Sequence, residues 1–203
     1  MAEGDAGFDL PLLPLHSVLF PGGLLSVKVF EPRLIDRVVR CLREGRPVGV
    51  VARRSAGGGP GAAALEEIGC IAELSEFEDP QSGVCQLRGH GTQRFSTLKL
   101  HREDDGLWTA QARPLPADLP LPPTERLIGS ARALASAIGS LRDQGQTPFL
   151  EPYRFGEAGW LANRWCEILP IPLAAKQRLM ELPDPLVRLE LVDDFLRSKG
   201  VLQ

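Results

Sequence analysis

Histidine and lysine are scarce in this chain. Three histidines and four lysines, at positions 28, 99, 176 and 199, are all that 203 residues supply. None of His16, His90 or His101 stands in a His-x-x-x-His pair, and none pairs with a cysteine at zinc-ligand spacing. Cys41, Cys70, Cys85 and Cys166 form no Cys-x-x-Cys motif, and so few thiols do not make a disulfide scaffold. They read as reduced, buried thiols of a cytoplasmic protein. No run of about 18 apolar residues occurs, so no membrane span is expected. The first residues, MAEGDAGFD, lack the basic start and apolar stretch of a signal peptide. The net charge of −3 and pI of about 5.7 provide no overall basic field for nucleic acid or an anionic membrane.

Catalytic signatures are absent as well. The glycine-rich stretch at 57–61 carries no Lys and is not a phosphate-binding loop. No Gly-x-Ser-x-Gly elbow is present. Ser26 and Lys28 share a strand face, but beside a surface turn, where a lysine stays protonated and cannot serve as a base. His90 between two glycines reads as a locally bonded bend residue, and His101 beside Arg-Glu-Asp-Asp as part of a solvated turn. No catalytic, cofactor-binding or metal-ligating residue is therefore assigned.

What is present changes period near Arg113. Before it the chain reads mainly as strands. PLLPL is a short strand suited to a sheet edge, because proline donates no ladder hydrogen bond. Pro21-Gly22-Gly23 is a tight turn, and residues 24–30 alternate apolar and polar as a half-buried strand does. Pro32 suits the first turn of a helix whose apolar face is Leu34, Ile35, Val38, Cys41 and Leu42, with Gly45 as its stop. Strands follow at 47–53 and 66–79, the second bearing Ile68, Cys70, Ala72 and Leu74 on one face and a bulge near Ser75. A hairpin turn at 79–83 leads to VCQLRG. A further pair of strands, RFSTLKL and LWTAQAR, flanks Asp104-Asp105-Gly106. Six or seven short strands with one inserted helix suggest a small barrel.

The segment PLPADLPLPP at 114–123 reads as an extended link. Beyond it the period is helical. Leu127, Ala131, Leu134, Ile138 and Leu141 recur at steps of four and three behind Thr124, a candidate N-cap. Leu161, Trp165 and Ile168 share a second helical face, which makes Trp165 a core residue. A last helix has Asp184 as N-cap, Pro185 in its first turn and Gly200 beyond its end.

The motifs LPLLPLHSVLFPGGLLSVKVFEPRLIDRVVRCL, GRPVGVVAR and EEIGCIAEL resemble the N-terminal, substrate-binding domain of Lon proteases. ANRWCEILPIPLAAKQRLMELPDPLVRLELVDDFL is similar to the last helices of that domain, so the resemblance spans residues 9–197. It implies an α+β protein: an N-terminal PUA-like β-barrel with one inserted helix, then a C-terminal α-helical bundle. The divisions are 1–113 for the barrel, 114–123 for the link and 124–203 for the helices. It also implies a cytoplasmic polypeptide-binding module, an adaptor or regulator of proteolysis. With the chain ending at Gln203, the ATPase and Ser–Lys protease modules are expected to be missing, no catalytic residue is carried over, and the protein is not expected to be an enzyme.

PUA-like barrels often bind RNA, so an RNA- or nucleotide-binding role is the alternative. Net acidity opposes it; the arginines at 33, 37, 40, 43, 53 and 54 favour it. A hydrolase of unrecognised type is a third reading. For a bound peptide, the candidate contacts are Leu24, an apolar residue at a turn, and Phe30, on the opposite strand face from Val27 and Val29. The competing role for both is completion of the barrel core. The seam that a link between subdomains leaves would be the place for such a ligand.

The loop at 55–64 holds five glycines or prolines and no apolar period. Closure entropy changes by only about 0.6 kcal/mol per doubling of loop length. Replacing the segment with a short Gly-Ser link is expected to leave the melting temperature nearly unchanged; a large drop in a thermal scan would show the loop to be docked.

Overall fold

A computed structural model of the chain describes residues 7–54, 65–78 and 85–202. The loop at 55–64 and the turn at 79–83 lie outside the described residues. The chain divides into two compact units, Met1–Pro116 and Ala117–Gln203.

Unit 1 begins with β1 (Phe8–Leu15). The Pro21-Gly22-Gly23 turn follows, with Gly22 at φ 73°, and leads into β2 (Leu24–Val29). Leu25 and Val29 are buried, and Leu24, Ser26 and Lys28, alternating with them, are exposed, so the alternation in sequence is the alternation in space. Helix α1 (Pro32–Arg43) starts on a proline, where a missing N–H costs nothing, and buries Val38 and Cys41. β3 (Val48–Ala52) and β4 (Ile68–Glu78) follow, then β5 (Cys85–Arg102) and β6 (Trp108–Pro114).

The six strands form one mixed sheet in the order β2-β5-β4-β3-β1-β6, and β5 also pairs with β6. The pairings of five strands therefore run in a circuit, β5 to β4, β3, β1, β6 and back to β5. One face is apolar throughout and the other over β1, β3 and β6. Leu13, Leu25, Val29, Val38, Val48, Val50, Cys70 and Leu87 form one cluster. Leu10, Leu12, Val51, Ile71, Phe95, Ala110 and Ala112 form another. This is why Val-Gly-Val-Val-Ala in β3 is an unbroken apolar run, as a strand covered on both sides requires.

Two expectations are corrected. The segment around His90 is not a bend. β5 is a single 18-residue strand that runs straight through Gly89-His90-Gly91. Gly91 is there for close approach: a Cβ would sit 2.5 Å from the Phe20 carbonyl. The proline-marked β1 is not an edge strand. Residues 8–11 pair with β6 and residues 12–15 with β3. Each half of β1 thus keeps one open edge, where a missing proline donor is tolerated. On β4, Cys70, Ala72 and Leu74 do pack into one cluster, and Ile71 between them is buried in the other. The expected bulge is present as a register shift between Leu74 and Glu76, with another between Cys70 and Ala72.

Unit 2 consists of a 3₁₀ turn (Glu125–Leu127), α2 (Ile128–Asp143), α3 (Ala158–Ile168), α4 (Leu173–Glu181) and α5 (Pro185–Ser198). Thr124 precedes the 3₁₀ turn but makes no side-chain cap bond. Asp184 does cap α5, its carboxylate accepting from the backbone N–H groups of Leu186 at 2.8 Å and Val187 at 3.3 Å. α3 is buried at nine successive residues, Ala158 to Cys166. The Trp165 indole donates to the Ser130 carbonyl of α2 at 3.1 Å. The Ser130 hydroxyl in turn donates to Asp193 of α5 at 2.6 Å.

Arg188 is 1% exposed and its donors are taken up on several sides. They reach Asp118 at 2.6 and 3.2 Å, Asn163 at 3.0 Å, and the Leu179 and Leu182 carbonyls at the end of α4 at 3.0 and 2.5 Å. A buried guanidinium is stable only when its charge and its donors are both matched, as here. Asp118 can approach α3 because residue 159 is glycine; a Cβ there would lie 2.6 Å from the carboxylate.

Trp165 is 4% exposed. Trp165→Ala is expected to destabilise the protein by about 3–5 kcal/mol, through the cavity and the lost indole bond. Chemical denaturation followed by circular dichroism checks this, and near-normal stability would remove Trp165 from the core.

Candidate functional site

The site begins with which way the backbone of β2 points. Among the described residues β2 pairs with β5 alone, from Leu24 opposite His90 to Val29 opposite Cys85. The Gly91 N–H donates to the Gly23 carbonyl at 2.9 Å. Bonded pairs alternate along an antiparallel ladder, so residues 25, 27 and 29 bond to β5. The N–H and C=O groups of Leu24, Ser26 and Lys28 then face away from it, along an open edge. The side chains of the same three residues lie on the exposed face. Leu24 is 40% exposed, and Phe30, one residue past the strand, is 64% exposed. Neither completes the core, which is the role that competed for them.

The rest of this face is charged in rows. On β4 stand Glu73, Glu76 and Glu78, all exposed. On β5, His90 lies 3.7 Å from Glu73, and Arg88 lies 3.4 Å from Glu76 and 3.9 Å from Glu78. Gln86 donates to the Ser26 hydroxyl at 2.9 Å. The neighbouring row on β2 is Leu24, Ser26 and Lys28. Among the described residues Lys28 has no ion-pair or hydrogen-bond partner.

Other groups in the chain make no second site. Arg33 and Arg37 of α1 are committed to the 104–106 turn. Arg33 donates to the Asp105 carbonyl at 2.7 Å, and Arg37 pairs with the Asp105 carboxylate at 3.1 Å. The Asp105 carboxyl is held below its ordinary range by the Leu107 N–H, and further by Arg37 and Arg33. Arg54 pairs with Glu66 and Glu67. A groove of about 600 Å³ along α1 mixes Arg40 and Arg43 with Asp36 and Glu44, so it has no dominant sign. Ser26 and Lys28 stand exposed at the sheet edge, with nothing to desolvate the amine. The four cysteines are free and buried. Burial pushes the Cys166 thiol up to about 12, away from the reactive thiolate, and unit 2 contains no histidine. Among the described residues no group of three or more His, Cys, Asp or Glu side chains is placed to hold a metal ion. None of their helices is long and apolar enough to cross a membrane.

Sequence reading overlooked three buried ionic centres in unit 2. One is Arg188 with Asp118, and another is the fully buried Asp193, which accepts from Arg197 at 2.7 Å. The third is Arg164, fully buried, whose guanidinium donates to Glu167 at 2.6 Å and stacks over the rings of Phe149 and Trp160 at 5.8 Å. Arg164 and Arg188 both fall on the apolar stripe of their helices, which was the available signal.

The chain matches the family described as the ATP-dependent protease La (LON) substrate-binding domain over residues 9–198. It is 30% identical to the Lon protease of Anaeromyxobacter dehalogenans over 94% of this chain and 23% of that protein. It is also 30% identical to Lon protease 2 of Myxococcus xanthus over 94% of this chain and 24% of that protein. The chain thus spans about a quarter of the length of the curated relatives it matches. A crystal structure of a Lon N-terminal domain protein from Xanthomonas campestris superposes with a TM-score of 0.73 at 27% identity, covering 91% of this chain and 96% of that one. The N-terminal domain of the Mycobacterium avium complex Lon protease shares the fold at 12% identity, with a TM-score of 0.69, over 94% of this chain and 99% of that one.

Desolvation pushes the Glu167 carboxyl from 4.5 up to about 7, against the opposing pull of Arg164 and Lys176. The folded state therefore holds a proton that the unfolded chain releases at lower pH. Stability from this group falls as pH rises between those two values and is flat outside them. Glu167→Gln is expected to flatten that slope. Urea melts between pH 4.5 and 8 check it, and an unchanged slope in the variant would assign the dependence elsewhere.

Proposed function

The chain belongs to the family of Lon substrate-binding domains, and we propose on that basis that it is a non-catalytic module that captures extended polypeptide, acting as an adaptor or regulator of proteolysis. The circuit of strand pairings is read as a small PUA-like barrel, and α2 to α5 as a helical bundle beside it in sequence. The observation that carries the reading is the open edge of β2. It offers backbone donors and acceptors at Leu24, Ser26 and Lys28, with the exposed Leu24 and Phe30 side chains at its two ends. A strand added there gains ladder hydrogen bonds that do not depend on its sequence, and apolar contacts that add modest affinity. This combination suits a protein that must accept many unfolded chains.

For the RNA- or nucleotide-binding alternative, Arg33, Arg37 and Arg54 are engaged by acidic residues or carbonyls, whereas Arg40, Arg43 and Arg53 stand exposed.

Two outcomes are expected. The double change Leu24→Ser, Phe30→Ser leaves the far-ultraviolet circular dichroism unchanged and weakens binding of a fluorescent unfolded polypeptide by about ten-fold, the loss of two partly buried apolar contacts. Unchanged binding with an intact fold would move the site to another surface. The purified chain leaves unfolded casein uncleaved, with or without ATP. Cleavage that survives Ser26→Ala and a contaminant control would overturn the non-catalytic reading.

A further inference from the structure

We infer that the β2 edge selects extended segments carrying an acidic residue opposite Lys28, within an alternating pattern apolar-x-acidic-x-small polar-x-apolar. The inference rests on the reading of β2 as a polypeptide-binding edge and adds the chemistry of what is bound.

Three observations carry it. First, the outward backbone groups and the exposed side chains belong to the same residues, Leu24, Ser26 and Lys28. A strand docked antiparallel to β2 sets every second side chain beside Phe30, Lys28, Ser26 and Leu24 in turn. Second, charge on this face runs in rows. The Glu76 and Glu78 carboxylates of β4 are answered on β5 by Arg88, and Glu73 has the His90 imidazole 3.7 Å away. Lys28 on the next strand is a cation with no acid to answer it among the described residues. The place for that acid is the strand that β2 lacks.

Third, the sheet has another open edge, and it is built differently. Residues 73–78 of β4 extend past its pairing with β3, which ends at Ala72. The exposed face there presents Glu73, Glu76 and Glu78, the charged guard that keeps a sheet edge from recruiting a neighbour. β2 lacks that guard. Its two exposed ends are apolar and its one charge is unanswered.

A second copy of the chain is a poorer occupant. Antiparallel pairing of two β2 strands with Leu24 opposite Phe30 puts Ser26 opposite Lys28. Each lysine again lacks a carboxylate, and the two lysines lie on a diagonal within reach of mutual repulsion. Pairing centred on Lys28 sets the lysines face to face.

The test uses three fluorescein-labelled peptides, Leu-Thr-Xaa-Thr-Ser-Thr-Val, with Xaa as Glu, Gln or Lys, titrated by anisotropy against the full chain and Lys28→Glu. The expected order is Glu over Gln over Lys, with about three-fold between neighbours, from the strength of one cross-strand charge pair. Lys28→Glu, at an exposed position and checked by circular dichroism, reverses that order. Raising salt to about 1 M shrinks the differences, because the Debye length falls to about 3 Å. Equal binding of the three peptides, still weakened by Leu24→Ser, Phe30→Ser, would sink the acidic preference and leave the polypeptide-binding edge standing. No binding of any peptide would sink both. A concentration-dependent dimer in sedimentation velocity that excludes the peptides would overturn the inference by making the occupant a second copy.

Discussion

The architecture of unit 1 hangs on the two edges of one strand. β5 pairs with β4 along one side. On the other it pairs first with β2, over residues 85–90, and then with β6, over residues 95–102. Every other strand has at most two partners, so β5 is where the sheet both returns on itself and frees an edge. The circuit uses its second half; β2 takes its first half and, among the described residues, is left with no neighbour beyond it. One strand long enough to serve three others has to bend as it goes, and the register shifts opposite Cys70–Ala72 and beside Lys99, each with its extra residue on β5, record that bending.

The same geometry explains why two open edges of one sheet carry opposite chemistry. On β4, side chains that would face an added strand are carboxylates. On β2 they are a leucine, a serine and a lysine, with a phenylalanine just beyond. Covering an apolar edge is the ordinary way to avoid aggregation, and an uncovered one is tolerable when it is short. The six residues of β2 keep the apolar area small. Burial of Leu25 and Val29 on the opposite face fixes the strand's register, so its exposed face cannot slip inward.

Much of this could be read in the sequence. Alternation at 24–30 predicted which side chains would point outward, the proline before α1 and the glycine after it marked that helix, and Asp184 capped α5 as its position required. What failed did so for physical reasons. Glycines flanking His90 were taken as punctuation, but the glycine after it makes room for the carbonyl of Phe20; close approach and a turn look alike in one dimension. Arg164, Arg188 and Asp193 drew no notice in the sequence, because charge is usually outside. Their places on the apolar stripes, beside Trp165, Leu189 and Val192, marked them as buried. The pairing of β1 on both sides was hidden because proline's missing donor matters only where a partner stands opposite. As for Leu24 and Phe30, parity made their exposure legible, whereas the openness of the edge beside them depended on strand order, which no local pattern encodes.

Asp118 lies in the proline-rich stretch that joins the strand-rich and helical parts of the sequence. It gives its carboxylate to Arg188, 70 residues away, through the gap left by Gly159. The stretch is thus part of the helical unit's interior chemistry and not a spacer. Anyone dissecting the molecule for grafting has a cut site dictated by charge: a helical fragment that begins after residue 118 starts life with a cation sealed inside and nothing to neutralise it.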